Sequence, residues 1–519
     1  MASKNGSKPT LETREDLFCP ECSNEGMRPL ETKAESGRTR YRCVTCGFRT
    51  TTTLYTKPQL LPETKVSEIK KHKRFLITSA VNDTKLVMEA HKTFERIAKE
   101  LDACYLVIPG VYKNPDLKHQ GVIHGYTWPK EILPYICNAD VALNKNLTIR
   151  GSTRIQYTAI NPLSGMNHAG DIRSEIFGHP QIAMEMVATP KVSLPKMMHT
   201  TGSISVKNYG GSKRAKKAKS HHSIGAVFIE IEGSSFWHTE VGFDGEGAYL
   251  FNRYYTPKGS RKAGGSLGAV FGDIHVRNLT KQSKKGIDNI RKIFKPETEV
   301  YHDLHDQHIG SHHHVNDTIF HIGKSIAKEH SIRDELLMSV KFLEDKPNVV
   351  LVDSNHHRHL DQWFNRFKAN RDPVNADLYF ELGEMAREDF RKGGDANLFR
   401  LFIERYSKVP VTFVHGNDLF IIGEIDCSQH GDRGPNGARG SAKSFSKTGY
   451  KTIIAHVHTP GIEKGCWQVG TSTLNLNYAI GYSSWMITHC IIHKNGKRAL
   501  VSIVNNKLSP ILRELALTA

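Results

Sequence analysis

Five short apolar runs between residues 268 and 461 each end in a knot of Asp, Asn or His. They read GAVFGDIHVRN (268–278), TEVYHDLHDQH (298–308), NVVLVDSNHHRH (348–359), IDCSQHGDRGPNG (425–437) and TIIAHVHTPG (452–461). An apolar run of this length is a buried strand, and the polar group at its downstream end falls on a sheet rim. Between two of them, SIRDELLMSVKFLED has apolar residues at 332, 336, 340 and 343, the spacing of an amphipathic helix. Strands alternating with helices predict an α/β domain whose site is assembled along one sheet edge from distant segments. In the last run, His456 and His458 are two apart and on extended backbone would face one point together.

At 519 residues the chain predicts two or three domains. No apolar run approaches the ~18 residues of a membrane span. The polar start, MASKNGSKPTLETRED, lacks the apolar stretch of a secretory signal, so residues 1–18 are expected to be an unstructured leader and the protein cytoplasmic. A formal net charge of +18 leans toward a polyanionic partner, nucleic acid before anionic lipid, and against a membrane role.

Of nine cysteines, four form two close pairs: Cys19 and Cys22, then twenty residues later Cys43 and Cys46. Two such knuckles present four thiolates to one structural Zn²⁺, which predicts a zinc ribbon over 19–56; a pair of redox dithiols is the weaker reading. The scattered remainder suits a reducing compartment. After a polar link, KRFLITSA reads as a strand, Asn82-Asp83-Thr84 as a turn and helix start, and CYLVIPG as a second strand. Between them Val87, Ala90, Phe94, Ile97 and Leu101 recur at helical spacing. These elements predict a middle α/β domain over 72–262. Its one conspicuous segment is the Gly-rich run 206–222, expected as a basic loop, with Lys207, Lys213, Arg214, Lys216, Lys217 and Lys219. Such a run is either a solvated loop or an arm that tracks nucleic-acid phosphates.

Singly, each polar knot is a weak signal. In order, GDIH, HDLHD, SNHH, QHGD and AHVH resemble the motifs of the calcineurin-like metallophosphoesterases: D-x-H, G-D-x-x-D, G-N-H-[DE], H and G-H-x-H. The resemblance covers about 263–500 and implies that 263–519 forms a β-sandwich flanked by helices, following the ribbon and the middle domain. It implies two divalent ions, Mn²⁺ foremost. Asp273, His275, Asp303 and His458 would surround one; Asp303, Asn355, His430 and His456 would surround the other, with Asp303 bridging. Mixed His, Asp and Asn ligands suit Mn²⁺, Fe²⁺ or Zn²⁺ better than Ca²⁺. His356 would contact the scissile phosphate and help protonate the leaving oxygen, a task for which imidazole is suited. Two ions with a bridging hydroxide nucleophile promote in-line displacement at phosphorus.

The glycines that open three family motifs are replaced by His302, Ser354 and Ala455, and the acid after Asn-His is His357. His415 competes with His430 for the single-His motif; His430 is preferred because it opens a Gly/Pro-rich loop. The other histidines of HDLHDQHIGSHHH read as a polar rim loop. Fold does not name a substrate. The ribbon, the charge and the basic run together favour a DNA nuclease acting on double-stranded DNA, similar to the double-strand-break-repair branch of the family, with a homo-oligomer compatible. The build also resembles tailed-phage early proteins that degrade host DNA, which would place it in host cytoplasm. A protein or nucleotide phosphatase using the same residues, or a DNA-binding scaffold with an inactive metal site, is the alternative.

Overall fold

Four antiparallel strands form the N-terminal ribbon: β1 (Arg14–Phe18), β2 (Glu25–Thr32), β3 (Thr39–Cys43) and β4 (Arg49–Thr50). Among the described residues its buried core is Leu17, Met27, Tyr41, Cys19 and Cys43, with Cys22 and Phe48 partly buried against it. So few buried side chains call for a metal staple. The sheet starts at Arg14, inside the segment expected as leader, because Leu17 is needed to cover this core. The computed structural model describes residues 13–19, 21–22, 24–32, 39–50, 54–55, 59–112, 122–123, 126–167, 171–190, 193–311, 314–368, 371–476, 478 and 480–519. Residues 1–12 of the expected leader lie outside them.

The next region opens as β5 (Arg74–Val81), α1 (Met88–Glu100) and β6 (Cys104–Gly110), a parallel β-α-β unit. The helix starts at Met88, later than Thr84, after a turn in which Asp83 is left-handed (φ 52°). Then come β7 (Asp140–Asn144), β8 (Leu147–Arg150), β9 (Ser174–Phe177), β10 (Met184–Val187) and β11 (Lys196–Thr200). The run expected as a basic loop is helical over α2 (Lys213–His221). Ser212 caps it, its Oγ accepting the Ala215 N–H at 3.2 Å, and Ala215 and Ala218 are buried beneath. Ala, Lys and Arg are strong helix formers, so a cap and two small anchors suffice. The hairpin β12 (Gly225–Glu232) and β13 (Ser235–Gly242) follows, and a small antiparallel sheet of Ala248–Leu250, Arg253–Thr256 and Gly259–Lys262 closes the region.

The C-terminal region runs β14 (Ser266–Val270), α3 (Lys281–Phe294), β15 (Pro296–Tyr301), α4 (Ile332–Leu343) and β16 (Val349–Val352). It continues with α5 (Ala376–Arg391), α6 (Leu398–Tyr406) and β17 (Val411–Val414). Next are five strands, β18 (Ile421–Ile422), β19 (Ile425–Asp426), β20 (Lys451–Ile454), β21 (Gly461–Glu463) and β22 (Cys466–Gln468). The hairpin β23 (Ile487–Ile492) and β24 (Arg498–Ile503) and helix α7 (Pro510–Thr518) end it.

The order of strands in the main sheets is β13-β12-β5-β6, β17-β16-β15-β14-β23-β24 and β18-β19-β20-β22-β21-β10-β11-β9-β8-β7. The ten-stranded sheet therefore takes half its strands from each side of residue 262, joined where Met184 pairs with Ile462. The stretches 72–262 and 263–519, read from sequence as two domains, thus share a sheet. Val270, Val300 and Val350 share one buried cluster with Ile425, Ile453 and Trp467, and Phe75, Ile77 and Val227 with Ile149, Ile176 and Met197. The opposite faces of the shorter sheets carry the helices, through Phe94 and Ile97 of α1, Ile287 and Ile290 of α3, Leu336 of α4 and Phe402 of α6. The result is a mixed α/β structure, a β-sandwich with helices along one side. Strands such as VVLV are buried throughout because both faces are covered.

Candidate metal centre

Three parallel strands of the six-stranded sheet and two of the ten-stranded sheet end at one rim of the sandwich. From β14 come Asp273 and His275, from β15 Asp303 and Asp306, and from β16 Asn355 and His356. His430 lies beyond β19, and His456 and His458 lie beyond β20. Loops of both layers thus converge, which is why residues nearly two hundred positions apart meet.

The backbone is bent to bring them in. His275, Asp303, His456 and His458 all have positive φ, at 49°, 39°, 74° and 58°. A left-handed residue with a Cβ costs on the order of 1–3 kcal/mol and persists where surrounding structure enforces it. Four such residues, all of them expected ligands, concentrate strain where side chains must be aimed at a point.

Three groups of ligand atoms result, each within 4.8 Å of one another: Asp273, His275 and His458; Asp303, His430 and His456; and, sharing a residue with the first, His275, Asp306 and His356. In the first, Nε2 of His458 stands 3.1 Å from Nε2 of His275 and 2.9 Å from Oδ2 of Asp273. In the second, Nε2 of His430 stands 3.2 Å from Oδ2 of Asp303 and 3.1 Å from Oδ1 of Asn355. Asp273 reaches toward both groups, since its Oδ1 lies 3.9 Å from Nδ1 of His430 and 3.4 Å from the His456 amide. His356 is partly open to solvent, and its Nε2 is 3.9 Å from Oδ2 of Asp303. His415 is elsewhere, 3.8 Å from Asp395. The structure brings together seven expected ligands and His356, and leaves His415 out.

The electrostatics call for a cation. Asp273, Asp303 and Asp306 are all buried. Burial alone would depress His275, but Asp306, Asp303 and Asp273 reverse it and lift the imidazole to about 9. His430 is likewise buried, yet Asp303, Asp273 and Asp432 raise it to about 9. Asp273 goes the other way: burial raises it, and His458 and His430 pull it down to about 2. Both oxygens of Asp303 are buried, and the 3.2 Å contact with His430 Nε2 leaves Oδ1 without a donor. A buried carboxylate without donors is costly unless a cation satisfies it. The donor set, imidazole nitrogen with carboxylate and amide oxygen, fits first-row transition metals.

Asp306 is the residue sequence reasoning missed, although the spacing Asp303-x-x-Asp306 in HDLHD was there to read. Its Oδ1 lies 2.6 Å from Nδ1 of His275, and its main-chain oxygen accepts a hydrogen bond from Nδ1 of His356 at 2.8 Å. Asn278 holds the carboxylate from behind. Both imidazoles are thereby turned with Nε2 toward the site. Arg358 links the loops after β16 and β19, bonding Asp353 at 2.7 Å and also Asp432.

The four residues that replace the expected glycines and acid have packing roles. His302 is fully buried beside the His430 ring, and burial holds it neutral down to about 3. The Ser354 hydroxyl accepts the His357 N–H at 3.3 Å. The Ala455 N–H donates to the His430 carbonyl at 2.7 Å. His357 stacks on Phe399 and accepts the Leu304 N–H at 3.1 Å, fixing the loop that carries Asp303. In the dense histidine run, His305 bonds Gln307 and His314 stacks on Phe320; His312 and His313 lie outside the described residues.

In the ribbon, Cys19 Sγ is 3.6 Å from Cys46 Sγ and Cys22 Sγ 3.7 Å from Cys43 Sγ. Four sulfurs about a zinc ion at ~2.3 Å would be ~3.8 Å apart, so this cluster fits one. Lys213, Arg214, Lys216, Lys217 and Lys219 lie exposed on α2. Among the described residues, no helix is long and apolar enough to cross a membrane.

No protein-family model matches the chain. No solved structure matches it either. It is similar to protein A1 of Escherichia phage T5, with 30% identity over 475 residues that cover 85% of this chain and 83% of that one. Identity at that level over 85% of this chain and 83% of the relative places the chain in the family of this phage protein.

Proposed function

We propose that the protein is a metal-dependent nuclease that hydrolyses phosphodiester bonds of double-stranded DNA. The observation that carries the reading is the pair of ligand groups, Asp273/His275/His458 and Asp303/His430/His456, adjoining at one strained rim. When bound, two divalent ions at such a centre supply a hydroxide nucleophile and neutralise phosphate charge. Mn²⁺ is the ion we assign: Asp273, His275 and His458 would hold one ion, and Asp303, His430, His456 and Asn355 the other. His356, fixed through Nδ1, offers Nε2 toward the rim and there hands a proton to the leaving oxygen. Asp306 positions both His275 and His356. Asp273, Asp303 and Asp306 bear the negative charge that retains the ions and would repel the phosphate without them.

DNA is favoured over small phosphomonoesters or phosphoproteins by the +18 charge, by the four-cysteine ribbon and by the exposed cations of α2. The phage origin of the relative fits action within host cytoplasm, where host DNA is the substrate we propose. The test is digestion of linear and circular duplexes with Mn²⁺, Mg²⁺, Zn²⁺ or chelator. Mn²⁺-dependent nicking or shortening that disappears in Asp303→Ala and His356→Ala supports the proposal. Turnover of phosphomonoesters with no cleavage of DNA at low salt overturns it in favour of a phosphatase.

A further inference from the structure

The ten-stranded sheet reads the same from either edge. From one edge, β18 is antiparallel to β19, β19 parallel to β20, β20 parallel to β22, and β22 antiparallel to β21. From the other, β7 is antiparallel to β8, β8 parallel to β9, β9 parallel to β11, and β11 antiparallel to β10. The halves meet at the antiparallel β10–β21 contact. The shorter sheets repeat the pattern. In β13-β12-β5-β6, a parallel pair abuts an antiparallel hairpin, as in β24-β23-β14-β15. The chain order of matched strands is also the same. Even the isolated parallel bridge Thr471–Ile487 recurs as Ser203–Ile224.

We infer that residues 74–242 are a second copy of the fold formed by 266–503 without its rim ligands, and that this copy holds nucleic-acid phosphates through the cations of α2. Local sequence agrees. After β20 comes Ala455-His456-Val457-His458; after the matching β9 comes Gly178-His179-Pro180-Gln181. Val469-Gly470-Thr471 after β22 is matched by Thr201-Gly202-Ser203 after β11.

The ligands are gone from the first copy. The Thr471 hydroxyl donates to the Asp273 carbonyl at 3.2 Å; its counterpart Ser203 donates to the carbonyl of Ser79 at 3.0 Å. Ser79 thus stands in for Asp273, and Gln181 for His458. The His430 ring packs 5.1 Å from His456; in the first copy Tyr157 packs 5.8 Å from His179. The Tyr157 hydroxyl lies 3.0 Å from Ser79 Oγ and 3.5 Å from Ser203 Oγ, so a hydrogen-bonded plug fills the space. Gly110 ends β6 where β15 leads to Asp303, and a Cβ there would overlap the Tyr157 ring. At this rim Ser79, Gln181 and Gly110 leave no carboxylate in place of Asp273 or Asp303; the copy's buried cluster His199, His238 and Glu240 sits on β11 and β13 instead.

The segment beyond the Gly-Ser or Gly-Thr corner differs too. In the metal-bearing copy it carries Tyr478 and Trp485, with the Trp485 ring 4.4 Å from His458. In the first copy, the same stretch of chain is α2. Arg214 ties it to the loop that holds Tyr157, bonding the Thr158 carbonyl at 3.4 Å and Gln156 Oε1 at 3.0 Å. Lys213, Lys216, Lys217 and Lys219 are exposed and make no ion pair among the described residues. The segment that borders the metals in one copy is thus a cationic face in the other, complementary to a phosphate backbone.

The polyanion's identity rests on the nuclease reading; the duplication does not. The test is binding of a labelled linear duplex across a salt series with no divalent ion added, which leaves the ribbon's zinc in place. For Lys213→Glu/Lys216→Glu/Lys217→Glu, three lost phosphate contacts predict a fall of about 100-fold near 0.15 M salt and a log–log slope shallower by about 3. The Gln triple variant is expected to move the same way, with an unchanged melting temperature. Wild-type affinity and slope in both variants would overturn the phosphate-holding role. His179→Ala is expected to leave the Mn²⁺ content unchanged, and a lower content would overturn the loss of the rim site from this copy. If wild type binds DNA through α2 yet cleaves nothing, the nuclease reading falls and this inference stands.

Discussion

Oδ1 of Asp306 lies 2.6 Å from Nδ1 of His275, and this contact decides which imidazole nitrogen faces Asp273 and His458. A carboxylate behind a ligating histidine fixes its tautomer and raises its basicity. Asp306→Asn keeps the shape and removes the charge. Its Mn²⁺ affinity, read by titration calorimetry, is expected to fall roughly 10–100-fold while the fold persists. An unchanged affinity would reduce Asp306 to a packing residue.

His356 touches the rim but belongs to neither main ligand group. His356→Gln is expected to retain both Mn²⁺ ions and lose roughly 10²–10⁴ in kcat on DNA, the usual worth of a general acid. The loss is expected to be smaller on a diester whose leaving group is a good one, since that oxygen needs no proton. Equal losses on both substrates would contradict the proton-donor role.

Outside the site, acid sensitivity arises from histidines buried in the neutral form. Burial holds His493 down to about 4, where it stacks on Tyr249, and His179 down to about 4. Their folded pKa lies below the unfolded value near ~6.5, so between about pH 6.5 and 4 the unfolded chain binds more protons. The stability these groups contribute is full above about pH 6.5 and lost as pH falls toward 4, by at most about 3 kcal/mol each. Melting temperature is expected to fall over that window, and His493→Phe to flatten the fall. An identical pH profile in the variant would show that His493 takes up no extra proton on unfolding.

The ribbon's small core makes its folding depend on the four cysteines. Cys43→Ser/Cys46→Ser is expected to lose one zinc by metal analysis and to weaken duplex binding. Mn²⁺-supported hydrolysis of a small phosphodiester is expected to continue. Loss of that hydrolysis in a variant whose main domain still melts normally would mean that ribbon and centre are one unit.

The site was legible because each ligand sits just beyond an apolar strand, and strand ends are visible in sequence. His430 could be preferred over His415 from its loop alone, and the structure puts His430 beside Asp303. Asp306 was not singled out because its work is done on other side chains, which spacing does not show. The shared sheet was hidden because only a short strand, Gly461–Glu463, joins the halves. The basic run looked like a loop because its glycines precede the helix and its two anchoring alanines lie among lysines. Left-handed backbone at four non-glycine residues has no sequence signature at all.

The most direct measurement is a Mn²⁺ titration of the protein, its catalytic metals removed and its zinc retained, followed by electron paramagnetic resonance. Wild type is expected to bind two ions close enough to broaden each other's signal, and Asp303→Ala to lose that coupled pair. A single isolated ion, or a coupled pair that survives Asp303→Ala, would contradict the dinuclear centre.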